Sequence, residues 1–288
     1  MNIIKRNFFR LLRSGAFDSS NEPIEPMSVF KWQKLYQFSV MHDVVAYVYQ
    51  GIEHNKHSFF LHLTDKQWRE WQKAAEEDRA QSHDLNDEED EFLRSDHLTN
   101  PVLNHKLQDI LDDENSSTVN RQLLLSILSV VRHILNEGLP IRQILMLGVT
   151  IRQEGKDADY DTLRKWLDSL RLMPMARLAC EILIQYFGFR AEELPFVDSK
   201  PDKRIERIAQ ELLDFTNTRS RDWYFSQDED SIFVHSSNTG AMFSHVRRSA
   251  RYFHYYPSEG LTNFFASFVH SLSHIEEKKM SHQGQALM

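Results

Sequence analysis

Residues 118–137 place Leu123, Leu124, Ile127, Leu128, Val130, Val131, Ile134 and Leu135 around most of a helical circumference. A helix that is apolar on nearly every side must be enclosed by other elements, so the chain has to wrap further structure around this one. Crossing a membrane does not solve the problem. The most apolar part, 123–131, is interrupted by Ser126 and Ser129 and falls short of the ~20 residues a span requires.

The remaining sequence supplies helices to do the wrapping. Only 9 glycines and 8 prolines occur in 288 residues, too few for a many-turned β fold or a glycine-rich phosphate loop. Ile4, Phe8, Leu11 and Leu12 repeat at helical spacing and predict an amphipathic helix over 2–14. A second helix is predicted from Ser28 to Tyr49, with Gly51 as a left-handed stop just beyond it. Thr64 and Gln67 are spaced as a capping box, with Leu63 and Trp68 as a hydrophobic staple, and open a long helix that turns acidic toward 84–91. Asn100-Pro101 reads as a cap followed by proline at the first helical position. Ser116 or Ser117 caps the central apolar helix, which Gly138 and Pro140 end. Helices over 141–154 and 160–171, and one from Pro174 to Gly188, follow, and Ile205, Ile208, Leu212 and Phe215 form a further stripe. Two closing helices, about 240–255 and 258–278, divide at Pro257.

The predicted fold is therefore all-α and multi-helical. An acidic, polar shift at 85–116 marks a connector between an N-terminal helical lobe, 1–84, and a C-terminal lobe, 117–288. Near 222–235, Trp223-Tyr224-Phe225 and Ile232-Phe233-Val234 flank a polar run, a pattern that fits a small β-hairpin or an irregular loop equally. The formal net charge of −8 opposes general nucleic-acid binding, which needs a basic surface. Asn7 and Arg10 interrupt the apolar residues of the N-terminus, so no signal-peptide core is expected. The single cysteine, Cys180, lies in an apolar run where it reads as a small buried hydrophobe. Together these point to a cytoplasmic address with no membrane partner.

Candidate chemistry is sparse. Asp157, Asp159 and Asp161 would attract attention as a Mg²⁺ site, because alternate aspartates on a strand face one way. Here they lie between Gly155 and an amphipathic helix, where Asp159 is a natural N-cap and acidic side chains suit the helix dipole. His270 and His274 share a helical face, yet no glutamate or third ligand accompanies them. His54 and His57 fall in a polar loop, and His133 falls inside the central helix as a hydrogen-bonded core histidine. The acidic run Asp84, Asp87, Glu88, Glu89, Asp90 and Glu91 reads as a solvated helix end. Arg247, Arg248, Arg251, Tyr252 and Tyr255 interleave cations with aromatics and could hold phosphate and stack a base. An amphipathic helix packed on the core would carry the same pattern and is the preferred reading. No GxSxG, Walker loop, GxGxxG or paired CxxC is present.

Several segments resemble one family. Arg132-His133, then Glu137-Gly138-Leu139-Pro140-Ile141-Arg142-Gln143, continue through Asp161-Thr162-Leu163-Arg164-Lys165-Trp166-Leu167 to Gln185-Tyr186-Phe187-Gly188. This block resembles part of a family of uncharacterised bacterial nucleotidyltransferases. Met41 through Tyr49 resembles the helix before that family's catalytic core, and Arg251 through Glu259 resembles its C-terminal end. The resemblance implies a core with a glycine turn for the triphosphate and a strand whose alternate aspartates bind Mg²⁺. The corresponding interval here, 79–117, has no glycine, no D-x-D and no strand-like alternation. Met146 also stands where the family pattern implies an acidic residue. No catalytic residue carries over.

The expectation is thus a non-catalytic helical protein, needing no cofactor, that keeps the flanking regions of such enzymes and serves as an accessory module binding a protein partner. The alternatives are a divergent nucleotidyltransferase holding Mg²⁺ at Asp157, Asp159 and Asp161, and nucleotide or RNA binding through 245–256.

Overall fold

The apolar stretch forms one helix, Thr118–Asn136, with twelve of its side chains buried. A computed structural model describes residues 3–17, 22–84, 96–136, 141–197, 256–260 and 262. Its helices are α1 (Ile3–Phe17), α2 (Val29–Met41), α3 (Val45–His54), α4 (Asp65–Asp84), α5 (Pro101–Asp112), α6 (Thr118–Asn136), α7 (Ile141–Glu154), α8 (Tyr160–Ser169) and α9 (Met173–Phe187). Short 3₁₀ turns follow at Gly155–Asp157 and Ala191–Glu193. No strand occurs among the described residues, and the protein is all-α. None of the described helices is long and apolar enough to cross a membrane.

Helix starts obey the expected side-chain chemistry. Thr64 and Gln67 form the reciprocal box, with the Gln67 amide N–H donating to Thr64 Oγ1 and the Thr64 N–H donating to Gln67 Oε1 at 3.1 Å. Asn100 Oδ1 accepts from the Val102 and Leu103 amides, both at 3.1 Å. Ser117 Oγ accepts from the Asn120 amide. Gly188 stops α9 in the left-handed region, φ 71°. Gly155 lies just past the end of α7.

One expected helix is two. The predicted 28–49 helix breaks at 42–44, where Asp43 adopts φ 51°. The Val44 N–H donates to the Ser39 carbonyl and the Asp43 N–H to the Val40 carbonyl, the bonding pattern of a Schellman stop without its usual glycine. An identical turn ends α8, with Arg171 at φ 58° and Leu172 N–H donating to the Leu167 carbonyl at 2.7 Å. Gly51 is consequently not a stop but lies inside α3, where it has a different task.

That task is a close helix crossing. A Cβ on Gly51 would overlap the Leu11 carbonyl oxygen and sit 2.7 Å from the Leu11 carbonyl carbon. A Cβ on Gly15 of α1 would overlap the Tyr47 carbonyl oxygen and lie 2.8 Å from the Gly51 nitrogen. The two helices therefore meet backbone to backbone. This seats Phe8, Phe9, Leu11 and Leu12 of α1 in complete burial. Phe9 in turn packs edge-on against Phe187 of α9, with ring centroids 5.6 Å apart.

An extended segment clips α1 from outside. Arg6 and Arg10 both reach Glu25, Arg13 reaches Glu22, and the buried Asn7 side chain brackets the Glu25 backbone through its N–H and C=O. The Arg6 guanidinium holds the Glu25 carboxyl down to about 2. Helices on both sides of 85–116 contribute to one connected cluster of buried apolar residues. The proposed hairpin, the 205–215 stripe, most of the closing helices, the stop at Gly138 and Pro140, and the acidic run from Asp87 lie outside the described residues.

Candidate functional site

Two polar nodes lie where helices distant in sequence converge. The first joins the α2–α3 break to α4 and α7. Arg142 donates through Nη1 to Asp78 Oδ1 at 2.9 Å and also to the Asp43 carbonyl. The other Asp78 oxygen accepts the Ala46 amide at 2.9 Å, so this carboxylate caps α3 while pairing with α7. Tyr47 donates to Met146 Sδ at 3.3 Å across the same seam. Burial pushes the neighbouring His42 down to about 4, which leaves it neutral at physiological pH.

His133 belongs to the same region. Its Nδ1 lies 2.9 Å from the Ser129 carbonyl, and Gln143 Nε2 lies 3.0 Å from its Nε2. The carbonyl requires a proton on Nδ1, which leaves Nε2 to accept from the Gln143 amide. His133 is the satisfied core histidine expected from its position.

The second node is deeper. Arg132 and Glu259 are 1% and 0% exposed and pair at 2.9 Å. Glu259 Oε1 also accepts from the Thr99 amide at 2.7 Å and from the Thr99 hydroxyl at 2.9 Å, and Oε2 accepts from the Asn100 amide at 2.9 Å. Nearby, the buried Tyr256 phenol donates to the Leu170 carbonyl at 2.9 Å. Desolvation and the Glu259 charge raise its pKa well above the ordinary phenol value, so it stays protonated as that bond requires.

Among the described residues, each node pairs a guanidinium with a carboxylate, Arg142 with Asp78 and Arg132 with Glu259. Cys180 is buried in α9, and desolvation raises its thiol pKa, so it is packing rather than chemistry.

The candidate metal residues are placed clearly. Asp159 is the N-cap of α8: Oδ1 accepts from the Thr162 amide at 3.1 Å and Oδ2 from the Thr162 hydroxyl at 2.7 Å. Those bonds hold its pKa below the usual carboxylate range. Its backbone is also bracketed by the buried Asn120 side chain of α6. Asp157 ends the 3₁₀ turn and Asp161 lies in the first turn of α8. Among the described residues no three His, Cys, Asp or Glu side chains are grouped to hold a metal ion. Arg247, Arg248, Arg251, Tyr252, Tyr255, His270 and His274 lie outside the described residues.

Sequence reasoning overlooked Asp78, Glu259 and Arg132. Asp78 sits in a charged helical stretch among many acids, and nothing local marks it as the α3 cap. Glu259 follows Pro257-Ser258, where a helix-starting acid is ordinary; its partners lie 127 and 160 residues away. Arg132 carried a signal, since a charge inside an otherwise apolar helix must find a buried partner.

The fold and both nodes define a class: an all-α, multi-helix protein braced by one buried and one partly buried ion pair. No family model, curated protein or solved structure matches the chain.

Proposed function

We propose that the chain is a non-catalytic helical module that works by binding a protein partner, and that it retains the helical surroundings of a nucleotidyltransferase without its core. The observation that carries the reading is that several large apolar side chains are left in solvent. Phe59 is 81% exposed and Phe30 66%, with Val29 and Phe60 exposed beside them in sequence. Phe59 and Phe60 stack edge-on, with centroids 5.4 Å apart, and Lys34 lies over the Phe30 ring. The Gln67 side chain donates to the Val29 carbonyl at 3.3 Å, tying the start of α2 to the start of α4 just after the Phe59 turn. Exposed phenylalanines near one another are characteristic of interfaces, where aromatic anchors supply most of the binding energy. The resemblance adds support, because its segments 41–49 and 132–143 meet in the fold where Arg142 donates to the Asp43 carbonyl.

The test is a pair of surface variants. Phe30→Ser with Phe59→Ser is expected to leave the melting temperature within about 1 °C of wild type, as surface changes away from packing ordinarily do. The same change is expected to weaken binding to a partner co-purified from the native host, then prepared separately, by about 30-fold or more. Equal affinity of wild type and variant for that purified partner would contradict the reading.

A further inference from the structure

The described residues 256–260 and Thr262 touch three places in the fold: the start of α5, α6, and the turn between α8 and α9. Glu259 reaches the start of α5 through the Thr99 and Asn100 amides and reaches α6 through Arg132. Thr262 Oγ1 lies 2.9 Å from Thr99 Oγ1. At the other end, Tyr256 donates to the Leu170 carbonyl and Arg171 to Ser258 Oγ, both in the left-handed turn between α8 and α9. The carboxylate does what α5 cannot do for itself. Asn100 already satisfies the Val102 and Leu103 amides with its side chain, while the Thr99 and Asn100 N–H groups have Glu259 as acceptor. A negative charge at that end also suits the helix dipole.

Three uncharged donors and a buried guanidinium thus converge on a position filled from 160 residues away in the chain. Withdrawing the carboxylate leaves those donors facing one another in a desolvated space, which is unfavourable for every one of them. We propose that this segment is a strap keyed by the Glu259 carboxylate, and that the start of α5 is held against α6 only while the strap is seated. Because the strap also grips the α8–α9 turn, loosening it there releases α5 as well.

Backbone amide exchange on the full chain tests this. In Glu259→Gly, exchange at 98–107 and at 170–172 is expected to accelerate by about tenfold or more, while α1 and α3 remain protected as in wild type. Sodium formate, a free carboxylate small enough for the vacated position, is expected to slow α5 exchange again, and sodium chloride at equal ionic strength is not. Tyr256→Phe is the second variant. It removes a hydroxyl that touches Leu170 and nothing on α5, yet it is expected to speed exchange at 98–107. Unchanged α5 exchange in Tyr256→Phe overturns the strap. So does acceleration spread equally over the whole of Glu259→Gly, or a formate effect no larger than that of chloride.

Discussion

Gly51→Ala lowers the melting temperature by roughly 5–10 °C, taking ~2–4 °C per kcal/mol for a chain of this size. Helix propensity alone predicts the opposite sign, since alanine inside a helix is favoured over glycine by about 1 kcal/mol. The crossing reverses the sign. The added methyl would overlap the Leu11 carbonyl oxygen, and that obstacle is backbone that no rotamer change can clear. The α1 and α3 axes must separate, which loosens Phe8, Phe9, Leu11 and Leu12 from full burial. Overpacking of this kind costs about 1–3 kcal/mol and more where the clash is with main chain. Gly15→Ala should behave alike, because its methyl would overlap the Tyr47 carbonyl oxygen. A rise in melting temperature for either variant, read by thermal denaturation, would mean the two helices do not approach this closely.

Glu259→Ala destabilises the protein by about 3–5 kcal/mol, the loss expected when one partner of a buried ion pair is removed and the other stays. Arg132 is 1% exposed, so the change takes a carboxylate away from a guanidinium in a site with little solvent. The Thr99 and Asn100 amides lose their acceptor in the same change. Arg132→Met with Glu259→Leu should be less damaging than Glu259→Ala alone, because both members of this buried pair are then replaced together. Recovery stays partial, since leucine cannot accept from the two amides. Urea denaturation of the wild type, both single variants and the double variant gives the coupling energy, expected to be on the order of 2–3 kcal/mol. A coupling near zero would show that the two groups do not share a buried bond.

These two features differ in how far the sequence announces them. Helices were legible wherever periodicity and local capping agreed: the Thr64–Gln67 box, Asn100-Pro101, the Asp159 cap and the Gly188 stop all lie within a few residues of their partners. The α2–α3 break was not, because Asp43 takes the left-handed position normally given to glycine and nothing apolar in the pattern changes there. Gly51 was legible as a glycine that matters, yet its reason is tertiary: Leu11 passes over it, 40 residues away in the chain. The same holds for the nodes. Asp159 had its role written in its neighbours, whereas Asp78, Arg132 and Glu259 acquire theirs from elements brought together only by folding. The exposure of Phe30 and Phe59 was equally hidden, since an aromatic at a helix start or in a turn is usually core.

A melting curve taken with Mg²⁺ and each nucleoside triphosphate in turn tests most directly the proposal that this chain is non-catalytic. A partner-binding module predicts no nucleotide-specific shift, and the same curve for wild type and for Asp157→Ala with Asp159→Ala, apart from the lost α8 cap. A Mg²⁺-dependent rise with one nucleotide, absent in the double variant, would contradict it and favour a divergent nucleotidyltransferase.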